Sequence, residues 1–446
     1  MAARLTPHLR LVALGALMLA LAGCESWNPF ADKPPPPLPG ERFPVLQYQQ
    51  NIAADPRLAD LSVELPKPET NPAWPQAGGY PNHDMAHLAL GADPKVIWSA
   101  SIGSGSSKSR RLLAQPVVAD GKVFTMDARA RVAAFNAQTG DELWRVSVLP
   151  EGEDEGEVGG GIAYDKGRLF VATGAAEVLA LDANSGKDIW RTPVPAPVHS
   201  APTIADGKVF AVTVENELQA LGEDDGKKLW FHTGLAESAS FLGGASPAVD
   251  RNVVVVPHTS GELFALRVEN GRPIWSDGLA SIQRVTAVAA LADIRGDPVI
   301  DRGLVFAVSN SGRMAAIDLR TGNRVWDLDV GALQTPWIAG DYVYVLTNNG
   351  EVLCVRRDTG RVRWATVLGP YVDKDERKKG VFWAGPVLAG DRLIVTGSHG
   401  EALSISPYTG KVLGWIKLNR GVMIAPIVAN NTLYVLDTGG RLTAMR

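Results

Sequence analysis

A recurring tryptophan constrains the fold of this chain more than any other feature of its 446 residues. Eight tryptophans follow one another at intervals of 38 to 51 residues: Trp98, Trp144, Trp190, Trp230, Trp275, Trp326, Trp364 and Trp415. A period of this length is typical of repeat architectures, in which each unit packs on the next. We therefore expect one structural unit to recur from about residue 85 to the last residue.

A glycine and a small residue precede these tryptophans at nearly fixed distances. The glycine lies four residues before the tryptophan at Gly140, Gly186, Gly226, Gly271, Gly322 and Gly360, and five residues before it at Gly410. Six residues before each glycine stands a small residue: Ala134, Ala180, Ala220, Ala265, Ala316, Cys354 or Ser404. Because glycine adopts positive φ at little cost, the pattern predicts a tight turn between two strands. The first strand ends near the small residue and the second contains the tryptophan.

Two further strands precede this pair in each unit. The apolar run Lys122–Met126 is typical of a short buried strand, and Ser200–Ile204 represents the first strand of a unit. Units of four strands that repeat every 40 to 50 residues indicate a β-propeller. We expect the small residue where the blades crowd toward the axis and the tryptophan between neighbouring blades. Cys354 occupies a small-residue position, so we interpret it as a buried substitute for alanine rather than a reactive thiol.

The two ends of the repeat array determine the number of blades. The last repeat ends at Arg446, before its tryptophan, whereas Trp98 has no strands before it. The strand of Trp98 should therefore complete the last blade, which closes the ring and removes exposed sheet edges. This predicts an all-β, eight-bladed propeller over residues 73–446.

The first 72 residues predict export and anchoring. Residues 1–23 contain an apolar run of about ten residues, which is too short to span a bilayer and fits a secretory signal peptide. Leu21, Ala22, Gly23 and Cys24 resemble the lipobox of bacterial lipoproteins, which implies lipidation of Cys24; the alternative is an ordinary signal peptide with a chance cysteine. The resemblance to enterobacterial lipoproteins implies that Asp after the cysteine retains a protein in the inner membrane, so Glu25 at this position favours the outer membrane. Residues 24–72 are expected to form a lipidated, proline-rich tether.

The repeat resembles the one shared by pyrroloquinoline-quinone (PQQ) dehydrogenases and their non-enzymatic relatives. With the lipobox, the tether, the eight repeats and the segment Asn71–Gly79, the whole chain resembles the BamB family of outer membrane protein assembly factors. The resemblance implies a monomeric scaffold lipoprotein, without catalytic, cofactor or metal site, on the periplasmic face of the outer membrane. It also implies a place in the β-barrel assembly (BAM) complex, contact with a POTRA domain of BamA and a role in inserting outer membrane proteins, with nascent chains as further partners.

The resemblance assigns the BamA contact to two neighbouring inter-blade loops. The first carries Val194, Ala196 and Pro197 where the family has Leu-x-Leu-Arg, so the arginine is missing. The second carries Asp293 and Arg295 where the family has Asp-aliphatic-Asp, so the second position reverses its charge. The alternative for Asp293 is a turn residue that caps its own backbone.

Two other classes of function stay open at this point. A PQQ-dependent dehydrogenase needs a hard cation held by several oxygen ligands, and many such enzymes carry adjacent cysteines, whereas this chain has only Cys24 and Cys354. Its histidines His232, His258 and His399 lie in different repeats. A lipoprotein that binds a small ligand in the central funnel is the third class.

The charged loops 151–157 and 373–379 are either solvated or steer a partner. The net charge of −4 does not suggest nucleic acid as a partner.

Overall fold

The computed structural model describes residues 52–150, 152, 159–237, 239–280, 291–373 and 378–446. These residues form eight antiparallel sheets of four strands each, and the first strands of successive sheets contact one another around a central axis. The prediction of an all-β, eight-bladed propeller is confirmed. Within the described ranges no helix combines the length and apolar character needed to cross a bilayer.

Each blade runs from an innermost strand at the axis to an outermost strand at the rim. In that order, the strands of blades 1 to 4 are β2 (Val117–Ala119), β3 (Lys122–Met126), β4 (Arg131–Asn136) and β5 (Glu142–Ser147); β6 (Gly161–Asp165), β7 (Arg168–Ala172), β8 (Glu177–Asp182) and β9 (Asp188–Pro193); β10 (Thr203–Ala205), β11 (Lys208–Val212), β12 (Glu217–Gly222) and β13 (Lys228–Thr233); and β14 (Ala248–Asp250), β15 (Val253–Pro257), β16 (Glu262–Arg267) and β17 (Pro273–Gly278).

The strands of blades 5 to 8 follow the same order. They are β18 (Val299–Asp301), β19 (Leu304–Val308), β20 (Met314–Asp318) and β21 (Arg324–Leu328); β22 (Trp337–Ala339), β23 (Tyr342–Leu346), β24 (Glu351–Arg356) and β25 (Val362–Val367); β28 (Trp383–Ala389), β29 (Arg392–Gly397), β30 (Glu401–Ile405) and β31 (Val412–Lys417); and β32 (Ile427–Ala429), β33 (Thr432–Leu436), β34 (Arg441–Met445) and β1 (Val96–Ser101). A small hairpin of β26 (Tyr371–Asp373) and β27 (Lys378–Gly380) joins blades 6 and 7, and a 3₁₀ helix covers Pro56–Leu58.

The two ends of the repeat array meet in blade 8, as predicted. Strand β1 pairs antiparallel with β34, and Trp98 stands opposite Ala444. Backbone hydrogen bonds of 2.8 and 2.9 Å join Lys95 and Arg446 in both directions. The ring is therefore closed by hydrogen bonds between the N-terminal strand and the C-terminal strand.

The small residue of each repeat is needed for a different physical reason from the crowding at the axis that the sequence suggested. In every blade except the seventh, it lies in the third strand, away from the axis, directly between a large residue on the second strand and the tryptophan on the fourth. In six blades the large residue is aromatic, and its ring centroid lies 5.8 to 6.1 Å from that of the tryptophan: Phe124, Phe170, Phe210, Phe306, Tyr344 and Tyr434. A small side chain between them leaves room for the two rings to touch. Cys354 fills this position fully buried, as predicted, and burial raises the pKa of its thiol.

Seven tryptophans lie between neighbouring blades, as predicted, and each is fixed by the turn glycine of the next blade. A Cβ atom added to Gly186 would lie 2.7 Å from the indole of Trp144, and the other six turns are similar. Each indole Nε1 also donates a hydrogen bond of 2.8 to 3.2 Å to the carbonyl three residues before that glycine. The glycine is therefore required both by its positive φ and by the indole that covers it.

Trp415 does not follow this rule, so its assignment as an equivalent of the other seven is wrong. Gly414, not Trp415, stands opposite the small residue Ser404, and Trp415 is shifted by one position to the other face of β31. Its exposed fraction is 61%, and a Cβ atom on Gly414 would meet no atom within 4 Å. The physical reason lies in blade 8, where the turn that would receive a tryptophan is replaced by the two separate chain segments around Lys95 and Arg446.

The segment before β1 crosses the end of the propeller where the innermost strands finish. Residues 71–90, which we call the basal segment, hydrogen-bond to a residue in or beside the innermost strand of every blade. From blade 8 through blades 1 to 7, these residues are Asn430, Val118, Tyr164, Ile204, Val249, Ile300, Trp337 and Leu388. The basal segment thus connects all eight blades by hydrogen bonds at one end of the propeller.

The chain contacts the propeller already from Ile52, twenty residues before the expected end of the tether. The Asp55 backbone N–H donates to the carbonyl of Val362 at 2.8 Å, and the Tyr342 hydroxyl donates to the carbonyl of Ser62 at 3.0 Å. Val63 is buried in the largest apolar cluster. Residues 52–72 are therefore packed on the propeller, whereas residues 24–51 lie outside the described part of the chain.

Candidate partner-binding face and central funnel

The loops that connect successive blades lie at the end of the propeller opposite the basal segment, and we call this end the loop face. Three connections matter here: 194–202 between blades 2 and 3, 234–247 between blades 3 and 4, and 279–298 between blades 4 and 5, of which 281–290 lie outside the described residues. The two loops expected to be neighbours are thus separated by a third. Loop 234–247 joins them, because Ser246 donates from Oγ to the carbonyl of Ala201 at 3.0 Å and from its backbone N–H to Asp297 Oδ1 at 2.7 Å.

The first expected contact loop is largely turned inward. Val194 and Ala196 have exposed fractions of 7% and 4%, and Val194 belongs to the apolar cluster between blades 2 and 3. Pro197 is half-buried, and its carbonyl accepts a hydrogen bond of 2.8 Å from the Val214 N–H. Pro195, between them, is exposed. Within residues 194–197, the side chains available to a partner are therefore those of the two prolines.

Asp293 is buried, with an exposed fraction of 1%. Its Oδ2 accepts a hydrogen bond of 3.0 Å from the backbone N–H of Phe241, so it caps the neighbouring loop rather than its own backbone. Its Oδ1 has no hydrogen-bond partner within the described chain. Burial raises the pKa of Asp293 to about 6, because the carboxylate loses hydration that one hydrogen bond only partly replaces.

Arg295 lies beside Asp293 but does not form an ion pair with it among the described residues. The Arg295 Nε donates to the carbonyl of Leu242 at 3.1 Å, and the half-buried guanidinium lies against Gly243. A Cβ atom on Gly243, which has φ +95°, would come within 3.0 Å of Nη2. Burial lowers the pKa of Arg295, while the nearby Asp293 and Asp297 act in the opposite direction. Both expected residues of the second loop thus hold loop 234–247 in place.

Of the three histidines singled out in the sequence, two come together below loop 234–247. His232 and His258 stack with ring centroids 6.3 Å apart, and both pack on Phe264. Burial, followed by the neighbouring His232, lowers the pKa of His258 to about 3, so this histidine is neutral at physiological pH. His399 packs separately on Trp383. The described residues include no group of three or more His, Cys, Asp or Glu side chains that could hold a metal ion.

A central funnel of about 640 Å³ opens at the loop face. Its wall includes apolar side chains from several loops, the charged residues Arg111, Arg295 and Asp297, and Ala77 of the basal segment, which places that segment at the floor. Asp297 is the one carboxylate among the described lining residues. One of its oxygens accepts from the Ser246 N–H at 2.7 Å and the other from the Thr335 hydroxyl at 3.4 Å.

The other expected sites fall outside the described residues. Leu21, Ala22, Gly23 and Cys24 all precede Ile52. Of the charged loop 151–157 only Gly152 is described, and of the loop 373–379 only the ends, which belong to the hairpin of β26 and β27. Loop 234–247 and the basal segment were not predicted as parts of the site. The repeat pattern carries no signal for either, because their hydrogen bonds join residues from different repeats.

Comparisons with known proteins agree with this architecture. The family model described as outer membrane protein assembly factor BamB matches residues 128–366 and 373–446. Outer membrane protein assembly factor BamB from Yersinia pestis is 26% identical over 357 residues, which cover 79% of this chain and 88% of that protein. The BamB from Salmonella typhimurium is 28% identical over 360 residues, which again cover 79% and 88% of the two chains.

Among solved structures, BamB from Moraxella catarrhalis has a TM-score of 0.68 at 19% identity and covers 79% of this chain and 100% of its own. A europium-containing methanol dehydrogenase has a TM-score of 0.66 at 16% identity, over 82% of this chain and 89% of that one. At these identities the two structures show the shared propeller fold alone. The family model covers well over half of the sequence, and the chain therefore belongs to the BamB family of outer membrane protein assembly factors.

Proposed function

We propose that this protein is a non-enzymatic scaffold of the BAM complex that binds a POTRA domain of BamA and aids the insertion of outer membrane proteins. Membership in the BamB family is the observation that carries the proposal. We place the protein on the periplasmic face of the outer membrane, held by lipid on Cys24 after removal of residues 1–23. The proline-rich residues before Ile52 would then act as the tether.

The loop face supports a role in holding a partner. Loop 234–247 is fixed from both sides by hydrogen bonds, so it presents a preformed surface and costs little ordering on binding. Among its described residues, the exposed large apolar ones are Leu235 and Leu242, with exposed fractions of 64% and 41%. Arg295 and the prolines of loop 194–202 border them. In this proposal Asp293, Val194 and Ala196 position the loops, whereas Arg295 and Pro197 contact BamA.

The described funnel does not favour a dehydrogenase. A hard cation needs several oxygen ligands, and the one lining carboxylate among the described residues, Asp297, is already engaged by Ser246 and Thr335. The sequence contains no adjacent cysteines. The similarity to methanol dehydrogenase concerns the fold, and a shared fold is not evidence that this protein has dehydrogenase activity.

The test is a pull-down of C-terminally tagged protein from outer membranes in a mild detergent. We expect BamA to co-purify stoichiometrically, and Arg295→Glu to reduce the recovered BamA several-fold. Arg251→Glu is the matched control, because Arg251 is exposed in the turn between β14 and β15 and distant from the loop face in its blade. Recovery of the protein without any barrel partner would overturn the scaffold proposal.

The lipid anchor is tested separately. Cys24→Ser should move the protein into the soluble periplasmic fraction, and firm membrane attachment of this variant would refute the lipid anchor.

A further inference from the structure

The central funnel has the size and the wall of a small-molecule site. Its volume of about 640 Å³ lies within the range of roughly 300 to 1,000 Å³ that is typical of such sites. The basal segment contributes Ala77 to the lining of this funnel. Apolar side chains from three separate loops face it: Leu242, Phe382 and Met423. Leu242 and Met423 are 41% and 38% exposed, and this apolar surface is available for a ligand.

The charges of the wall favour an anion. Arg111 and Arg295 are the two guanidinium groups among the described lining residues, and Asp297 is the one carboxylate. Asp297 is already occupied by hydrogen bonds from Ser246 and Thr335. The described residues therefore give the funnel an excess of positive charge.

Arg295 is a partly buried cation without a direct ion pair among the described residues, although the nearby Asp293 and Asp297 favour its charged form. Its one hydrogen bond, from Nε to the carbonyl of Leu242, leaves both Nη atoms without a partner in the described chain. Neither Asp293 nor Asp297 forms an ion pair with it, although both lie on the same loop. A cation removed from water without a paired charge is costly, and a bound carboxylate would offset that cost through two parallel hydrogen bonds.

A second polar group of the wall is also unpartnered. Ser200 lines the funnel with an exposed fraction of 4%, and its Oγ has no hydrogen-bond partner within the described residues. Buried hydroxyl groups are normally satisfied, so the Ser200 Oγ is an unsatisfied polar group beside the funnel. Gln334 also lines this wall, whereas the amide of the lining residue Gln115 is already hydrogen-bonded through both its oxygen and its nitrogen.

We propose that the funnel binds a small organic acid with an apolar body, whose carboxylate pairs with Arg295 and whose body contacts Leu242, Phe382 and Met423. The proposed site shares Arg295 and Leu242 with the surface proposed for BamA, but its binding is measured on the purified protein without any partner, so the two proposals are tested separately.

The test uses 2-naphthoate as the probe and 2-naphthylmethanol as its neutral counterpart of nearly the same shape. Binding to the chain carrying Cys24→Ser, which needs no detergent, is measured by isothermal titration calorimetry. We expect 2-naphthoate to bind saturably at one site and 2-naphthylmethanol to bind at least tenfold more weakly. Absence of saturable 2-naphthoate binding up to millimolar concentration would overturn the proposal.

Two variants locate the site. Arg295→Gln keeps a hydrogen-bonding side chain but removes the charge, and we expect at least a tenfold loss of 2-naphthoate affinity. Arg251→Gln, with an 84% exposed side chain outside the funnel, should bind 2-naphthoate as the parent chain does. Met423→Trp fills the funnel from an exposed position that tolerates bulk, and it should weaken binding even if Arg295→Gln proves unstable. Unchanged affinity in Met423→Trp would place the site outside the funnel and refute the inference.

Discussion

Asp293 is a residue whose position has a measurable consequence for stability. Its folded-state pKa of about 6 lies above the ordinary value of 3.8, because burial disfavours the carboxylate. Between pH 4 and 6 the unfolded chain releases this proton while the folded chain still holds it. The free energy of unfolding should therefore fall as pH rises through this window, by up to about 3 kcal/mol for a shift of about two units.

Replacement of Asp293 by Asn tests this account. Asn cannot ionise but can still accept the hydrogen bond from the Phe241 N–H. We expect the difference in unfolding free energy between Asp293→Asn and the parent chain to grow in favour of the variant from pH 4 to pH 6 and then to level off. Urea unfolding at pH 4, 5, 6 and 7 measures it, with the exposed Asp206→Asn as the control. Parallel pH profiles for Asp293→Asn and the parent would show that the carboxylate is not desolvated.

At the scale of one element, the outermost strands show how a shift of one residue changes packing. In β17, Trp275 is 9% exposed, lies on the turn glycine Gly322 and donates to the carbonyl of Leu319 at 2.8 Å. In β31, Trp415 occurs one position later and is 61% exposed. The same residue type in equivalent strands therefore has an interface role in one blade and none in the other.

Alanine at each of these two tryptophans should separate the roles. Trp275→Ala removes a buried indole between blades and should lower the unfolding free energy by about 3 to 5 kcal/mol. Trp415→Ala removes an exposed side chain and should change it by less than about 0.5 kcal/mol. Urea denaturation followed by circular dichroism gives both values, and each variant serves as the control for the other. Similar losses in the two variants would contradict the register found for β31.

The strands also show what the sequence can predict. The strand Lys122–Met126 and the turn at Gly186 follow from spacing within a repeat, because local chemistry determines them. The completion of blade 8 by the strand of Trp98 follows from the incomplete repeats at the two ends of the array. The shift at Trp415 was visible as a distance of five residues from Gly410, but its meaning depends on the missing turn of blade 8. The burial of Asp293 and the gap between the two expected loops depend on loop 234–247, which the repeat pattern does not describe. Interactions between different repeats are therefore the part that spacing does not reveal.

At the scale of the whole molecule, two different sets of contacts keep the ring of blades closed. One is the pairing of β1 with β34 at the rim of blade 8. The other is the basal segment, which contacts every blade near the axis. Gln76 illustrates its mode of binding, because its amide exchanges two hydrogen bonds of 2.9 Å with the backbone of Ile204 and so imitates a strand neighbour. Both sets of contacts come from the same stretch before residue 102, so the stability of all eight blades depends on it.

Truncation from the N-terminal side should therefore have a sharp boundary. A chain of residues 52–446 keeps every described contact and should unfold in urea at the same midpoint as residues 24–446, in one cooperative transition. A chain of residues 102–446 loses the basal segment and β1 and leaves the edge of β34 unpaired. It should unfold at a clearly lower midpoint and tend to self-associate.

Adding a separate peptide of residues 52–101 in excess should raise that midpoint again, because a ligand that binds only the folded state stabilises it by mass action. Equal midpoints for residues 102–446 and 52–446 would mean that the seven complete blades are stable without the β1–β34 pairing and without the basal segment. The basal segment would then not stabilise the propeller.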